Sequence, residues 1–278
     1  MDAEDIVLDL FYGRWRSQTL YTGVKLGVFE VMDREPKTAN DVASRLNLDP
    51  DLGYRLLRAL AALRVLREHD RAFTIDDAGE LLRSDHPKSM RDAVLLREGP
   101  EHTAIWRHLP AMVQEGQQNG FAREYGTTAF EYANRVPSYA DAFNAGMSSQ
   151  SNLQAAWTLQ MLGQVDLSST GTMCDVGGGQ GHLLCHLLSR YRHATGTVLD
   201  RPGVADAVAS PWARLLGVED RCAFVAGDMF EDVPSADAYC LKLILHDWTD
   251  SECLQILRNL RRRASNAGKS TASRIDFG

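Results

Sequence analysis

The residues best suited to hold a ligand closely lie in the stretch DVGGGQG, which begins at Asp175. It carries Gly177, Gly178 and Gly179 in succession, and Gly181 follows two positions later. Glycine lets the backbone approach a ligand where a Cβ would clash, and a turn that opens a helix presents its N–H groups to that ligand. The stretch therefore predicts a binding turn between a strand and a helix.

The spacing of these glycines separates two kinds of nucleotide ligand. A dinucleotide fingerprint counted from Gly177 needs a small residue where His182 stands, and one counted from Gly178 needs glycine where Gln180 stands. Both frames fail. The tighter G-x-G-x-G pattern suits S-adenosylmethionine, with its methionine part against the turn and its nucleoside across the carboxyl edge of a sheet.

Two further acids follow predicted strands. Asp200 ends the strand in TVLDRPGV, where a carboxylate can accept hydrogen bonds from both ribose hydroxyls. Asp228 ends the next strand in AGDMF, where it can accept from an adenine amine beside the apolar Met229 and Phe230. Either acid alone could be a helix cap. Together with the glycine turn they indicate one crevice at the carboxyl ends of parallel strands.

A candidate base follows the fourth predicted strand. The stretch LKLILHDWTD places His246 and Asp247 just past an apolar run. Histidine is well matched to proton transfer near neutral pH, and beside a methyl donor it could deprotonate a hydroxyl that then attacks the methyl group in line. The alternative, equally open from these residues, is that the pair caps a helix that starts near Thr249.

The elements that must position these side chains follow from the change of pattern after residue 171. Short apolar strands alternate with helices, which is typical of an α/β fold with a parallel sheet. The strands are predicted near residues 172–176, 195–199, 223–226 and 238–243.

The region before residue 105 is predicted to be helical. Thr38 caps a short helix, an N-L-D-P turn leads to a second, and EHDRAFTIDDAGELLR alternates like a small strand pair, so the unit resembles a winged helix. Residues 38–71 hold six arginines against five acids, a balance too weak for phosphate contacts. The unit is therefore predicted to serve packing or dimerisation, and a DNA-binding regulator is disfavoured.

Charge and hydropathy limit the partners. The 278 residues have a formal net charge of -7, which attracts neither nucleic acid nor an anionic membrane. The 44% of hydrophobic residues can fill a substantial core, yet no apolar run approaches the roughly 20 residues of a membrane span. The start, MDAEDIVLDLFYG, is acidic where a signal peptide is basic.

The cysteines and histidines suggest reduced thiols and no metal. The five cysteines stand far apart without a C-x-x-C pair, which argues against a disulfide framework or a zinc site. His182 and His186 have a spacing that could bind a metal, but no third ligand is nearby in the sequence. We therefore expect a cytoplasmic protein without a metal.

Taken together, these stretches resemble the small-molecule O-methyltransferase family, which includes plant caffeic acid and flavonoid enzymes and bacterial enzymes of antibiotic and pigment biosynthesis. The matching stretches are FNAGMSSQS, DVGGGQG, LDRPGV, GDMF and LKLILHDWTD, in family order. The resemblance implies a Rossmann-like class I methyltransferase sheet preceded by an α-helical, winged-helix-like dimerisation domain. It also implies a homodimer that methylates a hydroxyl of a small, aromatic secondary metabolite.

The resemblance carries roles to particular residues. His246 is similar to the general base, and Asp247 follows it as in the family. Met147 and Asn144 correspond to the part of the family's motif that binds the acceptor. The implied contacts to S-adenosylmethionine are Ser151, Asp175, Gly177, Gly178, Gly179, Asp200, Asp228, Met229 and Lys242.

The family pattern also divides the chain. We expect a dimerisation domain over residues 1–105, linking helices that contribute to the acceptor pocket over 106–165, and the cofactor-binding domain over 166–278. The family continues with further strands where this sequence has only NAGKSTASRIDFG, so an incomplete sheet with LKLIL at its edge is expected. A truncated, non-catalytic homologue that dimerises or binds cofactor without turnover is the alternative.

Overall fold

The computed structural model describes residues 2–162, 166–205 and 211–264, without the side chains of 151–162, 203, 205 and 211. The chain forms two compact units, Met1–Gln150 and Ser151–Gly278. The division into three parts at residues 105 and 165 stays a prediction.

The first unit is mostly helical, as the periodicity predicts. In chain order its elements are α1 (Ala3–Lys25), α2 (Val28–Val31), β1 (Lys37–Thr38), α3 (Ala39–Leu46), α4 (Pro50–Ala62), β2 (Leu66–His69), β3 (Ala72–Ile75), α5 (Asp77–Glu80), α6 (Arg91–Arg97), α7 (Pro100–Ile105), a 3-10 turn (Trp106–His108), α8 (Leu109–Glu115), α9 (Gly120–Tyr125), α10 (Ala129–Arg135) and α11 (Pro137–Leu162), which runs on into the second unit.

The winged-helix-like unit is confirmed. Thr38 caps α3 through a reciprocal pair of hydrogen bonds with Asp41, and the strands pair antiparallel in the order β1-β3-β2. Phe29, Leu60 and Phe73 are fully buried between the helices and this small sheet. The apolar spacing that predicted the helices is thus explained by one shared core.

The second unit alternates strands and helices. Its elements are β4 (Thr172–Val176), α12 (His182–Arg190), β5 (Thr195–Asp200), α13 (Pro202–Ala205), α14 (Pro211–Leu215), β6 (Cys222–Ala226), β7 (Ala238–Cys240), a 3-10 turn (Leu245–Asp247) and α15 (Asp250–Arg263).

The sheet of this unit is parallel, with strand order β6-β5-β4-β7. Two apolar clusters contain its buried side chains: Leu184 of α12 belongs to one, and Ile256 of α15 belongs to the other. As far as the described residues go, β7 lies at one edge, but it ends before LKLIL begins at Leu241, so the expectation that LKLIL forms the edge strand is wrong. This α/β arrangement confirms the predicted fold class.

The fourth strand is shorter than predicted. It ends at Cys240 rather than at residue 243, and Leu243 has a φ of 58°, in the left-handed region that few non-glycine residues adopt. The chain therefore leaves the sheet before the apolar run ends, because the backbone bends where a strand would continue.

Among the described residues, no helix is long and apolar enough to cross a membrane.

Candidate active site

The glycine turn joins the carboxyl end of β4 to the start of α12. Gly177, Gly179 and Gly181 have φ values of 69°, 56° and 76°, which favour glycine at each position. A Cβ at Gly177 would lie 2.3 Å from Cδ1 of Ile244, so a larger residue there would displace that side chain. The predicted turn is confirmed, and the segment after β7 lies directly against it.

Asp200 lies beside this turn, as the strand-end argument predicts. Its Oδ2 accepts a hydrogen bond of 2.8 Å from the backbone N–H of Gly179, and its Oδ1 accepts one of 2.8 Å from Arg201. Each carboxylate oxygen can accept a second hydrogen bond. Asp200 is therefore held in place by the turn and keeps acceptor capacity for a pair of hydroxyls.

Asp175 lies beneath the turn at the end of β4. It is 2% exposed, and within the described part of the chain its Oδ2 has no hydrogen-bond partner. Burial raises the pKa of Asp175 to about 7, while the charge of Lys242 and a hydrogen bond from the Leu184 backbone act in the opposite direction. The pKa of Lys242 is lowered by burial, against the favourable charge of Asp175.

Asp228 and Met229 follow β6 in a tight turn. Oδ1 of Asp228 accepts a hydrogen bond of 2.8 Å from the backbone N–H of Phe230. Nδ2 of Asn259 on α15 donates to the backbone carbonyls of Met229 and Phe230, both at 2.9 Å. Asp228 is exposed at the end of its strand, so its carboxylate is open to a ligand.

His246 lies in the 3-10 turn that follows β7. Its side chain is 60% exposed, and its Nε2 is 3.5 Å from Oδ1 of Asp247. The cap of α15 is Thr249, whose side chain and Glu252 satisfy each other's backbone N–H groups. The alternative that His246 and Asp247 cap this helix is therefore wrong, because Thr249 already fills that position.

The remaining predicted site residues lie on α11. Met147 is partly buried and Asn144 is exposed, and both belong to the first unit. Ser151 falls among the residues whose side chains lie outside the described part. Across the residues that the structure describes, no group of three His, Cys, Asp or Glu side chains could hold a metal ion.

Two contributors to the site were missed by sequence reasoning. Ile244 packs against Gly177, and Asn259 anchors the turn after β6 from a largely buried position, 8% exposed. Asn259 carries a signal that could have been used, since it is a polar residue on the apolar face of α15, beside Leu260. Ile244 carried none, because its role depends on the bend at Leu243.

These residues fit S-adenosylmethionine. The turn has three glycines with positive φ, Asp200 is aligned at the end of the neighbouring strand, and a buried oxygen of Asp175 has no donor among the described residues. When bound, the cofactor would supply an electrophilic methyl group at the carboxyl edge of the sheet.

Comparison with known proteins agrees with this geometry. Residues 106–271 match the O-methyltransferase domain, and residues 8–84 match the O-methyltransferase dimerisation domain. A phenazine O-methyltransferase, PhzM of Lysobacter antibioticus, is 36% identical over 270 residues, which cover 95% of this chain and 76% of that protein.

Two similar solved structures contain S-adenosylmethionine or S-adenosyl-L-homocysteine. Human N-acetylserotonin methyltransferase in complex with S-adenosylmethionine superposes with a TM-score of 0.83 at 25% identity, covering 95% of this chain and 77% of that one. The O-methyltransferase NcsB1 from neocarzinostatin biosynthesis, in complex with S-adenosyl-L-homocysteine and 1,4-dihydroxy-2-naphthoic acid, gives 0.74 at 28% identity, covering 91% and 76%.

The fold and the strand-end site define a methyltransferase that uses S-adenosylmethionine. The chain belongs to the O-methyltransferase family, with its dimerisation domain.

Proposed function

We propose that the protein transfers a methyl group to a hydroxyl of a small aromatic metabolite, with His246 as the general base. The observation that carries this proposal is the meeting of three features at one sheet edge. Gly179 donates to Asp200 at 2.8 Å, Ile244 packs on Gly177, and the exposed His246 follows two residues later. A cofactor held by the turn would thus lie near the base.

Cofactor binding is assigned to the strand ends. The turn from Gly177 to Gly179 would hold the methionine part, and Asp200 would accept from the ribose hydroxyls. Asp228 and Met229 would contact the adenine, supported by the anchoring of their turn through Asn259. The polar contacts use backbone and carboxylate groups that are already oriented, which limits the entropy lost on binding.

Proton removal is assigned to His246. An exposed imidazole can reach the hydroxyl of an acceptor, and taking up the proton makes it a cation. The Asp247 carboxylate, 3.5 Å away, stabilises that cation. Because Thr249 caps α15, neither residue is needed for that structural task.

Acceptor binding is assigned to Met147 and Asn144. Met147 lies one helical turn beyond Phe143 on α11, so an apolar stripe is available to an aromatic ring. An aromatic acceptor is further supported by NcsB1, which is bound to a dihydroxynaphthoic acid, and by the phenazine enzyme.

The protein is proposed to act as a homodimer in the cytoplasm. Residues 8–84 match a dimerisation domain, and α1 exposes large apolar side chains, including Leu10, Phe11 and Trp15, at 65% or more. Such a stripe favours burial against another chain. All five cysteines are free thiols, which supports a reducing compartment.

The test is methyl transfer to a panel of phenols and naphthols, comparing the wild type with His246→Ala. General-base loss predicts a fall in kcat of at least about 100-fold with unchanged cofactor affinity. His193→Ala is the matched control, since His193 is also exposed but precedes β5 at the opposite end of the strands. Cofactor binding by the wild type without any transfer would favour the non-catalytic alternative, and equal rates for both variants would refute the role of His246.

A further inference from the structure

Asp175, which the resemblance places among the cofactor contacts, is a buried ionisable group that takes no part in the proposed proton transfer. It lies under the turn, and a Cβ on Gly178 would stand 2.7 Å from its Oδ2, so the turn backbone covers this oxygen. An acceptor buried without a donor is costly, and more so when it is ionised. Oδ2 of Asp175 is thus a buried acceptor without a donor in the part of the chain that the structure describes.

Lys242 is the cation that faces this carboxylate. Asp175 pairs with Cys240 in the register of β4 and β7, and Lys242 lies two residues beyond Cys240 on the segment that carries His246. The left-handed backbone of Leu243 follows immediately. The bend at Leu243 thus lies between Lys242, which carries the counter-charge for Asp175, and the segment with His246, the proposed base.

Of the other titratable groups near the pair, the thiols of Cys174 and Cys240 and the imidazole of His182 stay neutral near pH 7. Burial raises the pKa of the Cys174 thiol to about 12 and also raises that of Cys240. Burial lowers the pKa of His182, which faces Lys242, to about 3. Asp200, on β5, is hydrogen-bonded to the turn and acts on Asp175 as a like charge.

We propose that Asp175 is a proton-linked positioning residue: binding of the cofactor at the glycine turn brings donors to its buried carboxylate, with Lys242 as counter-charge, so that binding releases a proton. This inference rests on the proposed function. Its physical basis is that donors and a nearby cation favour the ionised carboxylate, whereas Oδ2 has no hydrogen-bond partner among the described residues. Cofactor affinity should then rise with pH up to the point where the free protein has lost this proton.

The experiment is calorimetric titration of S-adenosylhomocysteine into the whole chain between pH 5.5 and 8.5, in buffers of different ionisation enthalpy. The wild type should release close to one proton near pH 6 and none near pH 8.5, and its affinity should rise by up to about tenfold per pH unit below the midpoint. Asp175→Asn should bind about tenfold more weakly at pH 8 and release no proton in this range.

Two further variants keep the proposal falsifiable. Lys242→Gln should move the midpoint of proton release to higher pH, because it removes the charge that favours ionised Asp175. Asp237→Asn, at the opposite end of the same strands, should behave as the wild type. Proton release by Asp175→Asn equal to that of the wild type would overturn this inference alone, as would an unshifted midpoint in Lys242→Gln. Failure of the wild type to bind at any pH would overturn the proposed function as well.

Discussion

Two aspartates near opposite ends of β4 differ in their hydrogen bonds: Asp237, which precedes β7, lies near the amino end, and Asp175 lies at the carboxyl end. At the amino end, Oδ2 of Asp237 accepts backbone N–H groups from Gly171 at 3.0 Å and Thr172 at 2.8 Å. At the carboxyl end, the more deeply buried Oδ2 of Asp175 has no partner among the described residues. The carboxylate near the amino end is hydrogen-bonded, whereas the one at the proposed cofactor end is not, which is where functional sites depart from full hydrogen bonding.

The largest expected effect on stability comes from Asp175 itself. A folded-state pKa of about 7, raised above the unfolded value near 3.9, means that the native state binds this proton more tightly. Its stabilising contribution is complete below pH 4 and is lost as pH rises through 7. Between pH 4 and 7 the wild type should therefore lose up to about 4 kcal/mol of unfolding free energy relative to Asp175→Asn.

Urea denaturation of the ligand-free proteins across this pH range measures that difference. Other titrating groups are common to both proteins and cancel. Asp237→Asn provides the comparison from the amino end of β4, and its pH dependence should run parallel to that of the wild type. If the free energy of unfolding depends on pH in the same way for Asp175→Asn and the wild type, the pKa of Asp175 is not raised by folding.

A pair of glycines sharpens the comparison with a smaller effect. Gly177 and Gly217 both have positive φ, so alanine at either position should cost about 1 to 2 kcal/mol in backbone strain. Only at Gly177 would the new Cβ also meet a neighbour, Cδ1 of Ile244 at 2.3 Å. Gly177→Ala should thus lose further stability and at least about tenfold in affinity for S-adenosylhomocysteine.

Thermal unfolding and calorimetry separate the two contributions. Gly217→Ala should unfold at a lower temperature yet bind the ligand normally, since nothing described lies within 4 Å of the added Cβ. Equal affinities for the two alanine variants would mean that the turn tolerates displacement and is not the binding element.

The smallest loss of stability is expected for Asp237, the hydrogen-bonded aspartate near the amino end of β4. Asp237→Ala removes the acceptor of two N–H groups at the start of β4, which should cost about 1 to 2 kcal/mol because the site is partly exposed to water. Ligand affinity should not change, since the glycine turn lies at the far end of the strand. A large loss of affinity in this variant would show that the two ends are coupled through the sheet.

Much of the site was predictable from the sequence because it depends on local rules. Glycine spacing after a strand, and acids at the ends of successive strands, follow from the geometry of a parallel sheet, and the structure brings Asp200 to the turn as expected.

The missed features depend on tertiary packing. An apolar run predicts a strand as far as residue 243, but the bend at Leu243 ends it earlier and turns Ile244 onto Gly177. Asp237 looks like an ordinary polar residue until its backbone partners, far away in the sequence, are known, and the place of Asn259 on the apolar face of α15 indicates burial but not its partners. No local pattern encodes contacts of that range.

The most direct test of the central claim is calorimetric titration of S-adenosylhomocysteine into the wild type and Asp200→Asn. Asp200 accepts hydrogen bonds from the backbone N–H groups of Gly179 and Arg201. The side-chain NH2 group of asparagine would face one of these two donors, and the side chain would have fewer oxygens to accept from the ribose hydroxyls. We expect saturable binding by the wild type and at least about tenfold weaker binding by the variant. Equal affinity in the two proteins, or no binding by the wild type, would contradict a cofactor site at the carboxyl ends of these strands.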